Sequence, residues 1–374
     1  MDREIMLRRE KSIMYQHGGD FWNHPDFIDF SANINFLGAP LSVVQAAKSA
    51  LEGICHYPQP DCIRLRQAVA ELEHVKAEQI LCGNGAAEII FTLVLACKPK
   101  KALLVVPTFQ EYEHALRSVD CEIVYEYLSA ERGFLLQGLP AMLDHSIDIM
   151  FLCNPNNPTG TMMDREMMER LLQRCEQTDT LFVVDECFLD FVASEEETSQ
   201  SMKLFMNQSR RLFVIKAFTK TFGIPGLRLG YGLSGNTKLL QKMQAVVQPW
   251  NVSILAQEAG IAAAGERRFL TKTRDAVEEE KRFLLEQLSL FSSQEKSRFF
   301  VDIYGFAANF IFFRSIPELS QMLMDDKILI RDCSNFPGLT QGWYRIAVRS
   351  REENRQLIDA LHQTQESVNG KEFL

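Results

Sequence analysis

The sequence lacks any apolar run long enough to cross a bilayer. Its longest, residues 89–97, is interrupted by Thr92 and falls far short of the roughly 20 residues a spanning helix needs. It also lacks the apolar core of a signal peptide, since residues 1–11 carry charge throughout. No internal repeat and no low-complexity linker interrupt it. There is no CxxC pair and no Cys/His cluster, so no metal site is expected. The nine cysteines, among them Cys55, Cys62, Cys82 and Cys153, form an odd and scattered set that suits buried thiols in a reducing cytosol. Basic excess is missing as well. The formal net charge is −9, which argues against nucleic acid as a partner but leaves local basic pockets, and hence anionic substrates, open. These absences describe a soluble protein, expected to be cytoplasmic and not membrane-bound.

What is present is the pattern of an α/β enzyme. A chain of 374 residues, 46% hydrophobic and 24% charged, can form two domains sharing a cleft. Leu41, Val44, Ala47 and Leu51 recur at helical spacing, as do Leu65, Val69 and Leu72. Unbroken apolar runs at 102–106, 147–153, 180–184 and 212–215 suit parallel strands buried on both faces. Between them, 164–177 reads as a helix with Asp164 as N-cap. A long helix over about 267–291 leads into a mixed tail with strands near 309–313, 328–331 and 343–349. Ser350 with Glu353 forms a capping-box signature for a last helix. The expected division is a large domain at 50–265 and a small C-terminal domain at 266–374, with residues 1–49 packing beside the latter and contributing to the substrate site.

In a mostly parallel sheet, ligands sit beyond the carboxyl ends of the strands. The candidate residues cluster there. Lys220 follows the 212–215 strand and precedes glycines at 223, 226 and 230. Burial would lower the pKa of such an amine, as imine chemistry requires. Arg228, eight residues on, can return to the same place by a loop. Asp185 ends an apolar strand, where a carboxylate needs a cationic partner or caps the following helix. The string 153–160, Cys-Asn-Pro-Asn-Asn-Pro-Thr-Gly, forms a rigid turn holding Asn157. Gly83-Asn-Gly-Ala-Ala-Glu88 opens a helix whose N–H groups can cradle a phosphate. Phe109, after Pro107-Thr108, is either a stacking ring or plain core. In the last strand, period-two alternation puts Arg345, Ala347 and Arg349 on one face, and Arg331 closes a neighbouring strand. Such arginines grip carboxylate or phosphate, or else form surface salt bridges.

Taken together, in this order, these elements resemble the fold-type I pyridoxal-phosphate (PLP) enzymes of the aspartate aminotransferase-like, class I/II branch. The resemblance implies a large domain with a mostly parallel central sheet and a smaller α/β C-terminal domain. It implies Lys220 and Asp185 as catalytic residues, the first carrying the cofactor as an imine and the second pairing with the pyridinium nitrogen. Gly85, Ala86, Ala87, Phe109, Asn157, Thr219 and Arg228 complete the cofactor site. Tyr57, in His56-Tyr-Pro-Gln-Pro60, matches a tyrosine that reaches the cofactor phosphate of a neighbouring subunit, which implies a homodimer.

Within the branch, His17-Gly-Gly19, the 29–38 segment, Gln248-Pro-Trp-Asn-Val252, 328–338 and 343–350 resemble the threonine-phosphate decarboxylases of cobalamin biosynthesis. The histidinol-phosphate aminotransferases are their near relatives. The resemblance implies that Arg345 holds the α-carboxylate of a phosphorylated amino-acid substrate and that Arg331 and His17, with the backbone at Gly18, hold its phosphate, while Asn35 and Asn157 also belong to the substrate site. Three departures stand out: Ala217 where relatives carry Ser or Thr, Phe188 where aminotransferases carry Tyr, and Phe36 where proline is common. Decarboxylation and transamination use the same residues, so the choice between L-threonine O-3-phosphate (or L-serine O-phosphate) decarboxylation and histidinol-phosphate-type transamination rests on resemblance alone. A non-catalytic PLP-binding regulator is the reading from another class, and the full lysine, aspartate and arginine set argues against it.

Overall fold

A computed structural model describes residues 17–192, 200–292 and 298–370. The first sixteen residues of the expected 1–49 segment lie outside these. Among the described residues thirteen strands form three sheets. The largest orders β2 (Ile80–Gly83), β8 (Gly230–Leu233), β7 (Leu212–Ala217), β6 (Leu181–Asp185), β5 (Ile149–Cys153), β3 (Lys101–Val106) and β4 (Glu122–Tyr127). β8 is antiparallel to β2 and β7, while the pairings among β3 to β7 are parallel. Every residue of β5, β6 and β7 is buried, as the unbroken apolar runs require, because helices cover both faces.

Three strands of this sheet escape the sequence pattern, each for a reason. β2 is only four residues long, and β8 is half glycine. β4 lies at the sheet edge, where its Glu-Ile-Val-Tyr-Glu-Tyr sequence stays half-exposed. The anticipated caps form. Asp164 accepts from Met167 N at 2.8 Å ahead of the helix Arg165–Thr178. Ser350 and Glu353 exchange bonds of 3.2 and 3.4 Å ahead of the helix Arg351–Gly370.

The second sheet is antiparallel throughout, in the order β12 (Arg331–Asp332), β13 (Trp343–Ala347), β10 (Phe310–Arg314) and β9 (Asp302–Gly305). The single strand expected at 328–331 is in fact two. β11 (Ile328–Leu329) pairs in parallel with β1 (Ile28–Asp29), and the chain then switches sheets so that Arg331 faces Arg345 across β12 and β13. This switch ties the N-terminal segment to the C-terminal sheet. The last strand ends at Ala347, two residues earlier than expected.

The two larger sheets meet at the turn 154–160. Asn156 staples it: its amide nitrogen donates to Pro107 O at 2.9 Å and its amide oxygen accepts from the Thr108 hydroxyl at 3.0 Å. Backbone approaches backbone there, and Ala307 N donates to Gly160 O at 2.7 Å. A Cβ on Gly305 would stand 1.9 Å from Thr159 O, and the atom it meets is main chain that cannot swing aside. Gly305→Ala is therefore expected to lower stability by about 1–3 kcal/mol, read as an earlier urea midpoint than that of the parent protein.

Candidate active site

The parallel strands β5, β6 and β7 end side by side at Cys153, Asp185 and Ala217, and a cavity lies beyond them. Its walls bring together segments far apart in the chain: His17 to Asn33, Ala86, Phe109 and Gln110, Asn157, Thr219 and Lys220, and Arg331 to Arg345. Asn33, Gln110 and Asn157 are buried among them.

Two lysines four residues apart divide the labour. Lys216, within β7, is buried and neutralised by Glu73 at 3.0 Å and Asp190 at 2.9 Å. Lys220, in the short helix Phe218–Thr221, reaches the cavity and has no ion pair among the described residues. Burial lowers its pKa to about 8, and the charges of Arg345 and Arg228 push the same way. Near neutral pH a far larger share of such an amine is neutral, and so nucleophilic, than of an exposed lysine.

Asp185 is the reverse case. Its carboxylate accepts from the Tyr112 hydroxyl at 2.6 Å and Cys187 N at 2.9 Å, but no cation pairs with it among the described residues. Burial raises its pKa, opposed by these two donors. A cationic ligand atom would restore the balance. Phe109 lines the cavity edge-on to Tyr112, at 5.6 Å between ring centres. Ala217 and Phe188 also line it, so the two departures noted in the sequence stand at the site itself.

An anion cradle lies at the start of the helix Ala86–Cys97. Gly85 caps it at φ +86°, and a Cβ there would come within 2.6 Å of an Arg228 terminal nitrogen. Arg228 itself is held in the left-handed region at φ +56°, its Nη1 donating to Pro225 O at 3.1 Å. Free helix N–H groups and a guanidinium at one point are what a phosphate monoester needs. Ala86 lines the cavity, whereas Ala87 is not among its lining residues.

The opposite wall is cationic. Arg345 is buried, its Nη1 donating to Asn157 Oδ1 and its Nη2 to Ser31 O, while its Nε has no partner. Burial lowers its pKa to about 10. Arg331 stands directly opposite, its Nη1 donating to Asp332 O at 2.6 Å and its Nη2 to Asn335 Oδ1 at 2.9 Å. Neither forms an ion pair among the described residues, which leaves two facing cations with only neutral acceptors. His17 lies at the rim with Nε2 3.0 Å from Glu111, and Gly18 passes so close to Ser31 that a Cβ would stand 2.2 Å from Ser31 O.

Two expectations need correction. Asn35 does not line the cavity, because its polar atoms are used in packing: Nδ2 donates to Thr221 O and the Thr273 hydroxyl at 2.7 and 2.9 Å, and Oδ1 accepts from Leu37 N. Asn33, two residues earlier, takes that place, and both its amide atoms are buried without a partner. Arg349 does not join Arg345 in holding an anion. With the strand already ended, it turns to Asp29 O at 2.9 Å and Glu353 at 2.6 Å. Tyr112 and Gln110 were missed, although both fall within one helical turn of Phe109. Tyr57 is exposed, stacked on Trp250 at 4.3 Å and outside the cavity of its own chain.

Residues 25–361 match the family described as aminotransferase class I and II. The chain belongs to that family. It is 36% identical to the threonine-phosphate decarboxylase of Salmonella typhimurium, over 90% of this chain and 91% of that relative. It is 30% identical to the histidinol-phosphate aminotransferase of Methanothermobacter thermautotrophicus, over 90% and 88% of the two chains. Among solved structures, L-threonine-O-3-phosphate decarboxylase from Porphyromonas gingivalis superposes with a TM-score of 0.79 at 26% identity, covering 91% of this chain and 99% of that one. The class I/II chain thus has the fold-type I architecture that the order of its motifs implied. No helix among its described residues is long and apolar enough to cross a membrane.

The lone lysine gives a pH test of the site by itself. Only the neutral amine acylates, so reactivity rises as pH climbs through the pKa. In protein stripped of small ligands, Lys220 should reach half-maximal labelling near pH 8, where its pKa stands at about 8. Exposed lysines follow only at about pH 10.4. Competitive acetylation read by peptide mass spectrometry checks this, and a Lys220 midpoint shared with surface lysines would contradict the site's electrostatics.

Proposed function

We propose that this chain is a PLP-dependent decarboxylase of L-threonine O-3-phosphate, with L-serine O-phosphate as a second candidate substrate. The observation that carries the reading is the set of buried charges around one cavity left unneutralised among the described residues: an unpaired lysine, an unpaired aspartate, and two facing arginines held only by neutral oxygens. Such groups cost several kcal/mol each when left unmatched, so a ligand of complementary charge is implied.

The residues fit PLP. Lys220 is the amine that would carry it, Asp185 meets its ring nitrogen, Phe109 covers its face, and Asn157 donates to its phenolic oxygen from the amide nitrogen that Arg345 leaves free. Gly85, Ala86, Thr219 and Arg228 hold its phosphate, with Ala87 adding a backbone N–H. Bound there, the cationic ring supplies an electron sink for whichever bond at the substrate Cα is broken.

The chain's own residues choose that bond. Arg345 grips the α-carboxylate through its fork and, braced by Asn157 and Ser31 O, sets the angle at which the carboxylate stands. Arg331, His17 and the backbone at Gly18 take the far phosphate, fixing the other end. With the carboxylate so oriented by Arg345, the Cα–carboxylate bond would be the one to break, releasing CO2, and Lys220 Nζ would deliver a proton to Cα. Phe188 supports this outcome over transamination by offering no hydroxyl to the ring.

On this reading the holoenzyme releases CO2 from O-phospho-L-threonine without a 2-oxoacid, and Lys220→Ala abolishes release. Formation of glutamate or pyruvate partner products that depends on 2-oxoglutarate or alanine, with no CO2, would instead establish the aminotransferase activity of the 30%-identical relatives.

The proposal includes a homodimer in which Tyr57 reaches the cofactor phosphate of the neighbouring subunit. Its support is the position of Tyr57, exposed and stacked beside Trp250 rather than near its own cavity. Tyr57→Phe is expected to weaken cofactor affinity on the order of tenfold through one lost charge-assisted hydrogen bond, while sedimentation still gives a dimer. A wild-type monomer, active at low concentration, refutes the shared site.

A further inference from the structure

We propose that Asn335 is a positioning residue that sets selectivity for phosphorylated over unphosphorylated amino acids, by holding Arg331 with a neutral acceptor. The inference rests on the reading of Arg331 as the grip for a substrate phosphate. Arg331 Nη2 donates to Asn335 Oδ1 at 2.9 Å, Nη1 donates to Asp332 O at 2.6 Å, and the guanidinium lies over the Phe336 ring at 5.1 Å. Both ends of the fork are thereby fixed in direction without being neutralised.

Asn335 is in turn fixed from the large sheet. Gln110 Nε2 donates to Asn335 O at 2.9 Å, and Asn335 Nδ2 stands 3.5 Å from Gln110 Oε1. Asn335 does not line the cavity, so it acts on a ligand through Arg331. The carboxylate nearest in sequence is engaged elsewhere: Asp332 Oδ1 accepts from Ser334 N at 2.8 Å. Other arginines show the carboxylate alternative, as Arg64 with Glu258 at 2.6 Å and Arg349 with Glu353 at 2.6 Å. A carboxylate at 335 would hold the fork at least as firmly. It would also cancel the charge that a phosphate dianion is meant to meet, and it would repel that dianion directly.

Amide and carboxylate are nearly isosteric and Asn335 is exposed, so the test does not endanger folding. The affinities of wild-type, Asn335→Asp and Asn335→Ala holoenzymes for O-phospho-L-threonine and for L-threonine are compared from the rapid cofactor absorbance change on mixing, ahead of turnover. Asn335→Asp is expected to weaken the phosphorylated ligand about tenfold or more. Asn335→Ala is expected to weaken it a few-fold, by loss of direction alone. In both variants the L-threonine affinity stays within about twofold, since Arg345 is untouched. A purely structural role would weaken both ligands together, and that result, or an unchanged selectivity ratio in Asn335→Asp, overturns the proposal. A wild type with no preference for the phosphorylated ligand overturns it together with the reading of Arg331. A wild type that prefers the phosphorylated ligand yet releases no CO2 removes only the decarboxylase reading.

Discussion

Arg331 and Arg345 face each other as cross-strand partners on β12 and β13. Like charges at opposed positions of an antiparallel pair repel, and burial strengthens the repulsion by removing water. Neither has a carboxylate among the described residues, and each is braced instead by backbone and amide oxygens. The braces come from every part of the chain: Ser31 from the N-terminal segment, Asn157 from the turn after β5, and Asn335 from beyond β12. A pair that no local sequence would tolerate is held by the tertiary structure as a whole. On the proposed reading, the stability forgone there becomes attraction for a doubly anionic ligand.

The same division recurs around the lysines. Lys216 and Lys220 lie four residues apart on one continuous stretch, yet only Lys216 is matched by Glu73 and Asp190. Lys216 is spent on two buried ion pairs that anchor the sheet, while burial of Lys220, with no carboxylate paired to it among the described residues, lowers its pKa to about 8. Under the proposed function, these two lysines show charge neutralised where it is structural and left open where it is chemical. Asp185 follows the same rule with the opposite sign, in that two hydrogen bonds orient it and no cation pairs with it among the described residues.

How much of this could be read from the sequence follows from how local each signal is. Lys220, Asp185, Asn157 and the Gly85 turn each sit directly after a buried strand or before a helix, so periodicity and turn chemistry place them. Asn33 and Asn35 are a different matter: the two amides are separated by one residue, and only the neighbours met at each, Thr221 and Thr273 at Asn35 but none at Asn33, tell a packing amide from a site amide. Arg349 was misassigned because alternation was extended beyond the strand's last residue, Ala347. β4 was hidden because an edge strand need not be apolar. Tyr112 and Asn335 act through partners distant in sequence, and composition carries no trace of such contacts.

Finally, the cavity draws its wall from His17 at one extreme and Arg345 at the other. During synthesis the lysine-bearing sheet can form once Leu233 has emerged, but its cationic wall needs β13, more than a hundred residues later. Under the proposed function, the groups that would grip the substrate are therefore complete only when the final strand docks, and the same docking brings Arg345 close enough to help lower the Lys220 pKa.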